Sequence, residues 1–288
     1  MAALSHWLTS DSSALYLVVT LLGLLVGSFL NVVIHRLPLM LQRDWQQECA
    51  ELNGQPPAEL PPFNLCTPRS RCPHCQHQLS ALDNIPLLSW CWLRGRCRYC
   101  QAGISTRYPL VELAAAALAA LALWRFGASP QLLAALLFSW MLLCMTLIDI
   151  DHLLLPDNLT LPLLWLGLLL NINELFVSLP SAVLGAAIGY GILWSLFWLF
   201  KLATGKEGMG YGDFKLLAAI GAWFGWQALL PVLLLASLVG SVLGLALMAS
   251  KRLGEDRVLP FGPALALAGW VYLLWGTQLT QLYWGIAL

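Results

Sequence analysis

The chain has 288 residues, of which 59% are hydrophobic and 10% are charged, and its mean hydropathy is +0.73. Soluble globular domains carry about 25% charged residues, so this composition excludes a soluble globular protein and indicates an integral membrane protein. The formal net charge is zero, which excludes no class of partner because a membrane protein sorts its charges by side.

Eight apolar stretches are predicted to be transmembrane helices, and we expect an all-α polytopic fold. A helix needs about 20 residues to cross a hydrocarbon core of roughly 30 Å. The stretches are continuously apolar, which excludes the alternating strands of a membrane β-barrel. The sixth stretch is short and contains glycine, so its prediction is the weakest. In chain order they are residues 14–34, 109–126, 131–149, 158–173, 179–200, 213–227, 229–250 and 261–284.

The first stretch is predicted to be a retained helix in a first domain, residues 1–35, with a short periplasmic amino terminus. No Lys or Arg precedes it and no small-residue cleavage site follows it, so it differs from a cleaved signal peptide. Asn31 lies one helical turn from Gly27 and His35, which could place all three on one face of a binding site. An interhelical hydrogen bond for Asn31 and close helix packing at Gly27 explain these residues at least as well.

A polar insertion follows, and we expect residues 36–108 to form a small cytoplasmic zinc domain. It contains two Cys-x-x-Cys pairs, Cys72 with Cys75 and Cys97 with Cys100. Four such thiolates can surround Zn²⁺ tetrahedrally in a closed, structural site, and in a reducing compartment paired cysteines more often bind metal than form disulfides. Free thiols or a redox pair remain the alternatives.

The basic residues predict which side of the membrane each loop occupies. Lys and Arg near the ends of spans stay on the cytoplasmic side. With eight helices, three groups of basic residues share one face and leave Arg125 alone on the other, which supports an outward amino terminus and a cytoplasmic insertion. The three groups are Arg36, Arg43, Arg69, Arg71, Arg94, Arg96, Arg98 and Arg107; Lys201, Lys206 and Lys215; and Lys251, Arg252 and Arg257.

The remaining residues, 109–288, are predicted to form a membrane-embedded core, whose third helix ends in the acidic sequence DIDHLLLPD. Asp149 and Asp151 are separated by about 200° around a helix, so they cannot face the same neighbour. Asp149 is still joined to the apolar run, whereas Asp151 looks loop-facing and Asp157 suits a helix start. Near the start of the second helix, Glu112 could be a functional acid or a charge at the helix cap, and the sequence does not decide.

The sixth helix begins in GMGYGDFK, which places Asp213 at the membrane edge. Ionisable residues at such positions are costly and indicate function. Two adjacent carboxylates share a proton and can activate a water as base and acid together, so we predict a pair of Asp213 with Asp149, keeping Asp151 and Asp157 as alternatives. Glycines at 208, 210 and 212 would allow unusual backbone conformations or close approach, although a flexible loop also explains them.

These motifs together resemble a known family. The sequence GYGD, residues 210–213, resembles the Gly-x-Gly-Asp motif of intramembrane aspartyl proteases. Combined with DIDHLLLPD, with GSFLNVVIHRLP at residues 27–38 and with the four paired cysteines, it is similar to bacterial type IV prepilin peptidases. The resemblance covers nearly the whole chain.

The resemblance implies a bifunctional enzyme of the bacterial inner membrane. Such enzymes cleave the leader of type IV prepilins and type II secretion pseudopilins on the cytoplasmic side, then methylate the new amino terminus with S-adenosylmethionine. Carried over by motif, the catalytic residues are Asp149 and Asp213, while the tetracysteine positions match those of bifunctional members. It also implies prepilins and the lipid bilayer as partners, no nucleic acid, and a methyl-donor site whose residues we cannot assign from the sequence.

Two other classes of function compete with this interpretation. A proton-coupled transporter could use Asp149 and Asp213 as relay sites, but it predicts related halves with broken helices, and the sequence shows neither. A membrane-anchored zinc module that scaffolds secretion machinery explains the insertion and leaves both acids unused. Activity that survives the loss of both acids would favour the scaffold.

Overall fold

The computed structural model describes residues 12–55, 61–80, 82–206, 208–249 and 260–287. The predicted periplasmic amino terminus and the basic residues Lys251, Arg252 and Arg257 lie outside the described residues. Within them the fold is all-α, with two isolated β-bridges and no strand. The nine described α-helices are α1 (Ser12–Leu52), α2 (Leu88–Trp92), α3 (Arg107–Phe126), α4 (Pro130–His152), α5 (Asp157–Leu170), α6 (Leu179–Thr204), α7 (Tyr211–Phe224), α8 (Leu229–Ala249) and α9 (Gly262–Ala287).

The predicted all-α polytopic class is confirmed. A helix overlaps each of the eight apolar stretches, because continuous apolar sequence satisfies its backbone only within a helix when water is absent. Five described segments are long and apolar enough to cross a membrane: Ser13–Leu52, Arg107–Phe126, Pro130–His152, Leu179–Thr204 and Trp226–Ala246. The count of eight spans therefore stays a prediction.

Two of the predicted spans are shorter than a bilayer. Helices α5 and α7 have 14 residues each, about 21 Å at 1.5 Å per residue, against a hydrocarbon core of roughly 30 Å. Every residue of α7 from Leu216 to Phe224 is buried. A helix that is apolar all round is a core helix, so α7 is the centre around which its neighbours pack.

Helix α1 is longer than the apolar stretch that predicted it. It continues to Leu52 and has 41 residues, about 60 Å, or roughly twice the thickness of the hydrocarbon core. The extension is rich in Leu, Gln and Glu, which are good helix formers. The polar half of α1 therefore extends beyond the hydrocarbon core.

The contacts divide the chain into two compact units, Met1–Ala128 and Ser129–Leu288. In the first unit, α1 and α3 pack closely: a Cβ atom at Gly23 would lie 2.6 Å from the Cα of Ala116. The guanidinium of Arg36, on α1, donates to the carbonyls of Asn64 and Pro68 at 2.9 and 2.6 Å. The start of the insertion is thereby held on α1. The predicted domain boundaries at 35/36 and 108/109 stay predictions.

The second unit is assembled around α7. Gly185 of α6 and Gly221 of α7 are in backbone contact, so that a Cβ atom on either would collide with the other helix. Asn171, at the carboxyl-terminal end of α5, donates from its side-chain amide nitrogen to the carbonyls of Ala222 and Trp223 at 2.9 and 3.0 Å. These contacts fix the axial position of α7 and therefore the position of its first turn.

Candidate active site and metal centre

Asp149 occupies the last turn of α4 and is 5% exposed. Its carboxylate accepts a hydrogen bond from the backbone N–H of Gly262, the first residue of α9. The amino-terminal end of a helix carries a partial positive charge, which favours a carboxylate there. The first residue of α9, far along the chain, therefore holds the carboxylate of Asp149 in place.

Asp213 is the third residue of α7 and is 7% exposed. Its side chain turns back and accepts from the backbone N–H of Gly210, the residue that precedes the helix, as the acidic partner of a capping box does. The second oxygen, Oδ1, is buried and has no hydrogen-bond partner among the described residues. A buried polar atom without a partner is unusual in proteins and calls for an explanation.

The structure brings Asp149 and Asp213 together and leaves the other two acids apart. The charges of the pair interact directly. Asp151 is exposed on the far side of α4, as the 200° rotation predicts. Asp157 begins α5 and binds the ammonium of Lys215 at 2.6 Å, so Lys215 pairs with a neighbouring helix.

The glycines before Asp213 serve close packing. Glycines 208, 210 and 212 all lie outside the positive-φ region, so the expectation of unusual backbone conformations is wrong for them. A Cβ atom at Gly208 would lie 2.9 Å from the ring of Phe200, and one at Gly212 would lie 2.7 Å from the Cβ of Leu155. Close approach, the other predicted role, is what Gly208 and Gly212 provide.

Sequence reasoning missed Gly262 and Leu155. A Cβ atom at residue 262 would collide with Oδ2 of Asp149 and lie 3.1 Å from Cδ1 of Leu155, which also packs on Gly212. Leu155 therefore packs against both Gly212 and Gly262, the glycines nearest the two carboxylates. The signal was present in Pro-Phe-Gly-Pro, residues 260–263, since glycine between prolines before an apolar run often marks close backbone approach.

The second candidate centre lies in the insertion. The sulfur atoms of Cys72, Cys75, Cys97 and Cys100 all lie within 4.8 Å of one another, and Sγ of Cys72 is 3.7 Å from Sγ of Cys100. Four sulfurs at 2.3 Å from a tetrahedral zinc would be about 3.8 Å apart. The four cysteines can therefore hold a metal ion.

The two cysteine loops have the same backbone geometry. In the first, the N–H of Cys72 donates to the carbonyl of His77 at 3.0 Å, and in the second that of Cys97 donates to Ala102 at 2.8 Å. Each loop closes with a β-bridge, Arg71 with Gln78 and Arg96 with Gly103. The repeated sequence Arg-Cys-x-x-Cys-Gln thus encodes a repeated fold that presents two sulfurs from each side.

The charges of the cluster favour a bound cation. Backbone N–H groups of Cys75 and His74 lower the pKa of the Cys72 thiol to about 6. The pKa of Cys100 is raised to about 11 despite the hydrogen bond from Ala102, because partial desolvation of the sulfur and the three neighbouring sulfurs oppose further negative charge. A metal cation removes that opposition, since a coordinating thiol loses its proton outright.

The other cysteines and histidines lie outside this cluster. Among the described residues only the four paired cysteines form a possible metal site. His77 stacks on Tyr99 with ring centroids 3.5 Å apart, linking the two loops. The four remaining cysteines are separate: Cys49, Cys66 and Cys91 are exposed and Cys144 is buried.

The GSFLNVVIHRLP segment packs against the first turns of α3. The side-chain amide of Asn31 donates to the carbonyl of Tyr108 at 3.1 Å. A Cβ atom at Gly27 would lie 2.7 Å from the Cα of Glu112. Both predicted packing explanations, an interhelical hydrogen bond and close approach, are therefore what the structure shows for these residues.

The chain matches two protein families and several curated relatives. Residues 21–126 match the Bacterial Peptidase A24 N-terminal domain and residues 136–245 the Type IV leader peptidase family. A Stutzerimonas stutzeri protein named prepilin leader peptidase/N-methyltransferase is 58% identical over 281 residues, covering 96% of both chains. Proteins of the same name from Aeromonas hydrophila and Pseudomonas aeruginosa are 58% and 54% identical, covering 92% and 97% of both chains. No solved structure matches significantly.

Proposed function

The chain belongs to the type IV leader peptidase family, and we propose that it removes the leader peptide of prepilins and then methylates the new amino terminus. The identity of 54–58% with proteins named for both activities, over nearly the whole chain, carries this proposal. The neighbouring, buried carboxylates of Asp149 and Asp213 are proposed to carry out the cleavage of the leader.

Cleavage is proposed to be hydrolysis by this carboxylate pair. One member, ionised, takes a proton from the attacking water, while the protonated member donates to the carbonyl oxygen of the scissile peptide bond. The proton then passes to the leaving amine as the tetrahedral intermediate collapses. The backbone N–H groups of Gly210 and Gly262 hold the two carboxylates, and Oδ1 of Asp213 keeps its hydrogen-bonding capacity for the reactants.

The substrate is proposed to reach the pair by partitioning into the membrane. A prepilin carries an apolar helix just after the cleavage site, so the bilayer would place the scissile bond at the edge of the hydrocarbon core. We expect the first turn of α7, which carries Asp213, to lie at such an edge. The basic leader would remain on the cytoplasmic side by the rule that orients basic loops. On this basis we place the active site at the cytoplasmic face of the inner membrane, with pseudopilins as further substrates.

The tetracysteine cluster is proposed to bind structural Zn²⁺. The four sulfurs fit a closed tetrahedral site with no position left for a substrate. A zinc ion would also stabilise an insertion that builds only a small apolar core.

Methyl transfer is proposed to belong to the first unit, with S-adenosylmethionine as donor. The relatives that cover nearly the whole chain are named for both activities, and the match to the Type IV leader peptidase family, residues 136–245, lies in the second unit. The insertion and the segment at residues 27–38 are the two candidate locations for the donor.

The proposal is tested with the purified full-length chain in lipid nanodiscs, a synthetic prepilin and S-adenosylmethionine. Mass spectrometry should show loss of the leader and then gain of one methyl group on the new amino terminus. A chain that cleaved nothing, or that methylated without prior cleavage, would contradict the proposed sequence of reactions.

A further inference from the structure

Glu112 is a buried acid that neither the carboxylate pair nor the cysteine cluster uses. It lies in the second turn of α3 and is 7% exposed. Its Oε2 accepts from the backbone N–H of Leu87 at 2.8 Å, and the Ser28 hydroxyl of α1 donates to the same carboxylate. Three separate segments of the first unit therefore meet at this side chain. Burying a carboxylate is costly unless it is well paired, so these contacts account for its presence.

The bond to Leu87 holds an unfavourable backbone conformation. Leu87 has φ 58° and ψ −49°, and a positive φ is a genuine outlier for a bulky residue without a polar side chain to stabilise it locally. Such strain persists only where the surroundings impose it, and it often occurs where geometry matters for function. The Glu112 carboxylate is the group that binds the strained residue.

Leu87 sets the direction in which the second cysteine loop continues. Helix α2 starts at the next residue, Leu88, and carries Trp90. The indole of Trp90 donates to the carbonyl of Ile104 at 3.3 Å and packs on Gly95, where a Cβ atom would lie 2.8 Å from the ring. The loop that presents Cys97 lies between these two contacts. A change of direction at Leu87 would therefore move this loop relative to α3.

The carboxylate itself has little freedom to move. Gly27 of α1 approaches the backbone of Glu112 so closely that a Cβ atom there would lie 2.7 Å from its Cα. The Ser28 hydroxyl, one residue further along α1, binds the carboxylate. Contacts with α1 therefore hold the Glu112 side chain in place. Glu112 in turn holds the insertion through its hydrogen bond with Leu87.

We propose that Glu112 is the positioning residue that sets the cysteine module, residues 72–104, on the α1–α3 pair, and that methyl transfer depends on this placement. This inference rests on the proposed function, in which methyl transfer belongs to the first unit. Glu112 is not a catalytic residue in this account: its hydrogen bonds matter, and its charge does not act on the substrate.

The test compares Glu112→Ala with Glu112→Gln in the full-length chain. A glutamine keeps the length and can accept from Leu87 through its amide oxygen, so Glu112→Gln should methylate nearly as the wild type does. Glu112→Ala should lose roughly 10- to 100-fold in methylation, the range expected for a lost hydrogen bond to a charged group, while leader cleavage and bound zinc stay at wild-type levels. If Glu112→Ala does not fold, Glu112→Asp, whose shorter side chain falls short of Leu87, should give the same pattern.

A second variant tests the link through Leu87. Glycine adopts a positive φ without strain, so adding Leu87→Gly to Glu112→Ala should restore part of the methylation. Amide hydrogen exchange over residues 85–104 should accelerate in Glu112→Ala and not in Glu112→Gln.

Three results would overturn the inference: full methylation by Glu112→Ala, Glu112→Gln as defective as Glu112→Ala, or unchanged exchange over residues 85–104. A wild-type chain that cleaves and does not methylate would instead contradict the proposed function, and the exchange result would still decide the positioning role.

Discussion

At the scale of single residues, the carboxylate pair depends on two places where a side chain is missing. Gly262 leaves room for Oδ2 of Asp149, and Gly212, the residue before Asp213, leaves room for Leu155. Neither glycine has a positive φ, so a methyl group would be excluded by space alone. The position of Asp149 should therefore be sensitive to substitution of a residue that carries no functional group.

Replacing Gly262 by alanine should reduce leader cleavage by about 100-fold, since the added Cβ displaces Asp149 and a shift of about 1 Å can cost that much. Gly285→Ala is the matched control, because the same helix has open space there. Initial rates on a synthetic prepilin measure both. Equal rates in the two variants would show that Asp149 is not held where the reaction needs it.

The ion pair of Lys215 with Asp157 should contribute little. The side chains are 28% and 52% exposed, and exposed pairs are typically worth about 0–1 kcal/mol. A double-mutant cycle with Lys215→Met and Asp157→Asn should give a coupling energy within that range, and Asp157→Asn should cleave within about fivefold of the wild-type rate. A much larger loss of cleavage rate in Asp157→Asn would support Asp157 as the catalytic partner of Asp213.

At the scale of helices, α6 and α7 contact each other through the backbone atoms of two glycines. Gly185 and Gly221 approach so closely that neither helix has room for a methyl group between them. Backbone atoms cannot move aside as flexible side chains do. This contact aligns α7, whose first turn carries Asp213.

Gly185→Ala should therefore lower the free energy of unfolding by about 1–3 kcal/mol, the usual cost of overpacking. Gly191→Ala on the same helix meets open space and should be neutral or stabilising by up to about 1 kcal/mol, because alanine favours helix more than glycine does. Thermal unfolding in one detergent compares the two variants. An equal effect of both would indicate that α6 and α7 are not tightly packed.

Helix positions followed from the sequence, whereas helix lengths did not. A continuous apolar run predicts a helix whatever its neighbours are, and all eight runs overlap one. The extension of α1 to Leu52 is polar and carries Pro38 within it, so hydropathy gave no sign of it. Helix α7 is short and enclosed by its neighbours, which depends on tertiary contacts that periodicity does not contain.

At the scale of the whole molecule, the two units separate the residues proposed for the two activities. The cysteine cluster and Glu112 belong to the first unit, and Asp149 and Asp213 belong to the second. Each carboxylate of the pair is held by N–H groups of its own unit. Replacing a cysteine of the cluster should therefore change methylation and cleavage to different extents.

Cys72→Ser should lower bound zinc and weaken methylation more than cleavage. Cys91→Ser is the matched control, because Cys91 is an exposed cysteine of the same insertion outside the cluster. Metal analysis and the two product yields, at matched protein levels, measure the effect. Equal loss of both activities with normal protein levels would count against separate modules.

The family was predicted from the motifs, and the relatives confirm it. The proximity of Asp149 and Asp213 could be predicted because each stands at the polar end of an apolar run and both ends were placed on one face. The supports of the pair were not predictable in the same way. Gly262 contacts Asp149 across more than 100 residues of chain, and Glu112 binds the backbone of Leu87 across 25 residues.

In the proposed mechanism, Asp149 and Asp213 together hydrolyse the peptide bond that joins the leader to the prepilin. The most direct test measures cleavage by wild type, Asp149→Asn, Asp213→Asn and Asp151→Asn at equal concentrations of folded protein. We predict a loss of at least 10²–10⁴-fold in the first two variants, the range for removal of a general acid or base, and a rate near wild type for Asp151→Asn. Wild-type cleavage by either Asp149→Asn or Asp213→Asn would contradict the mechanism.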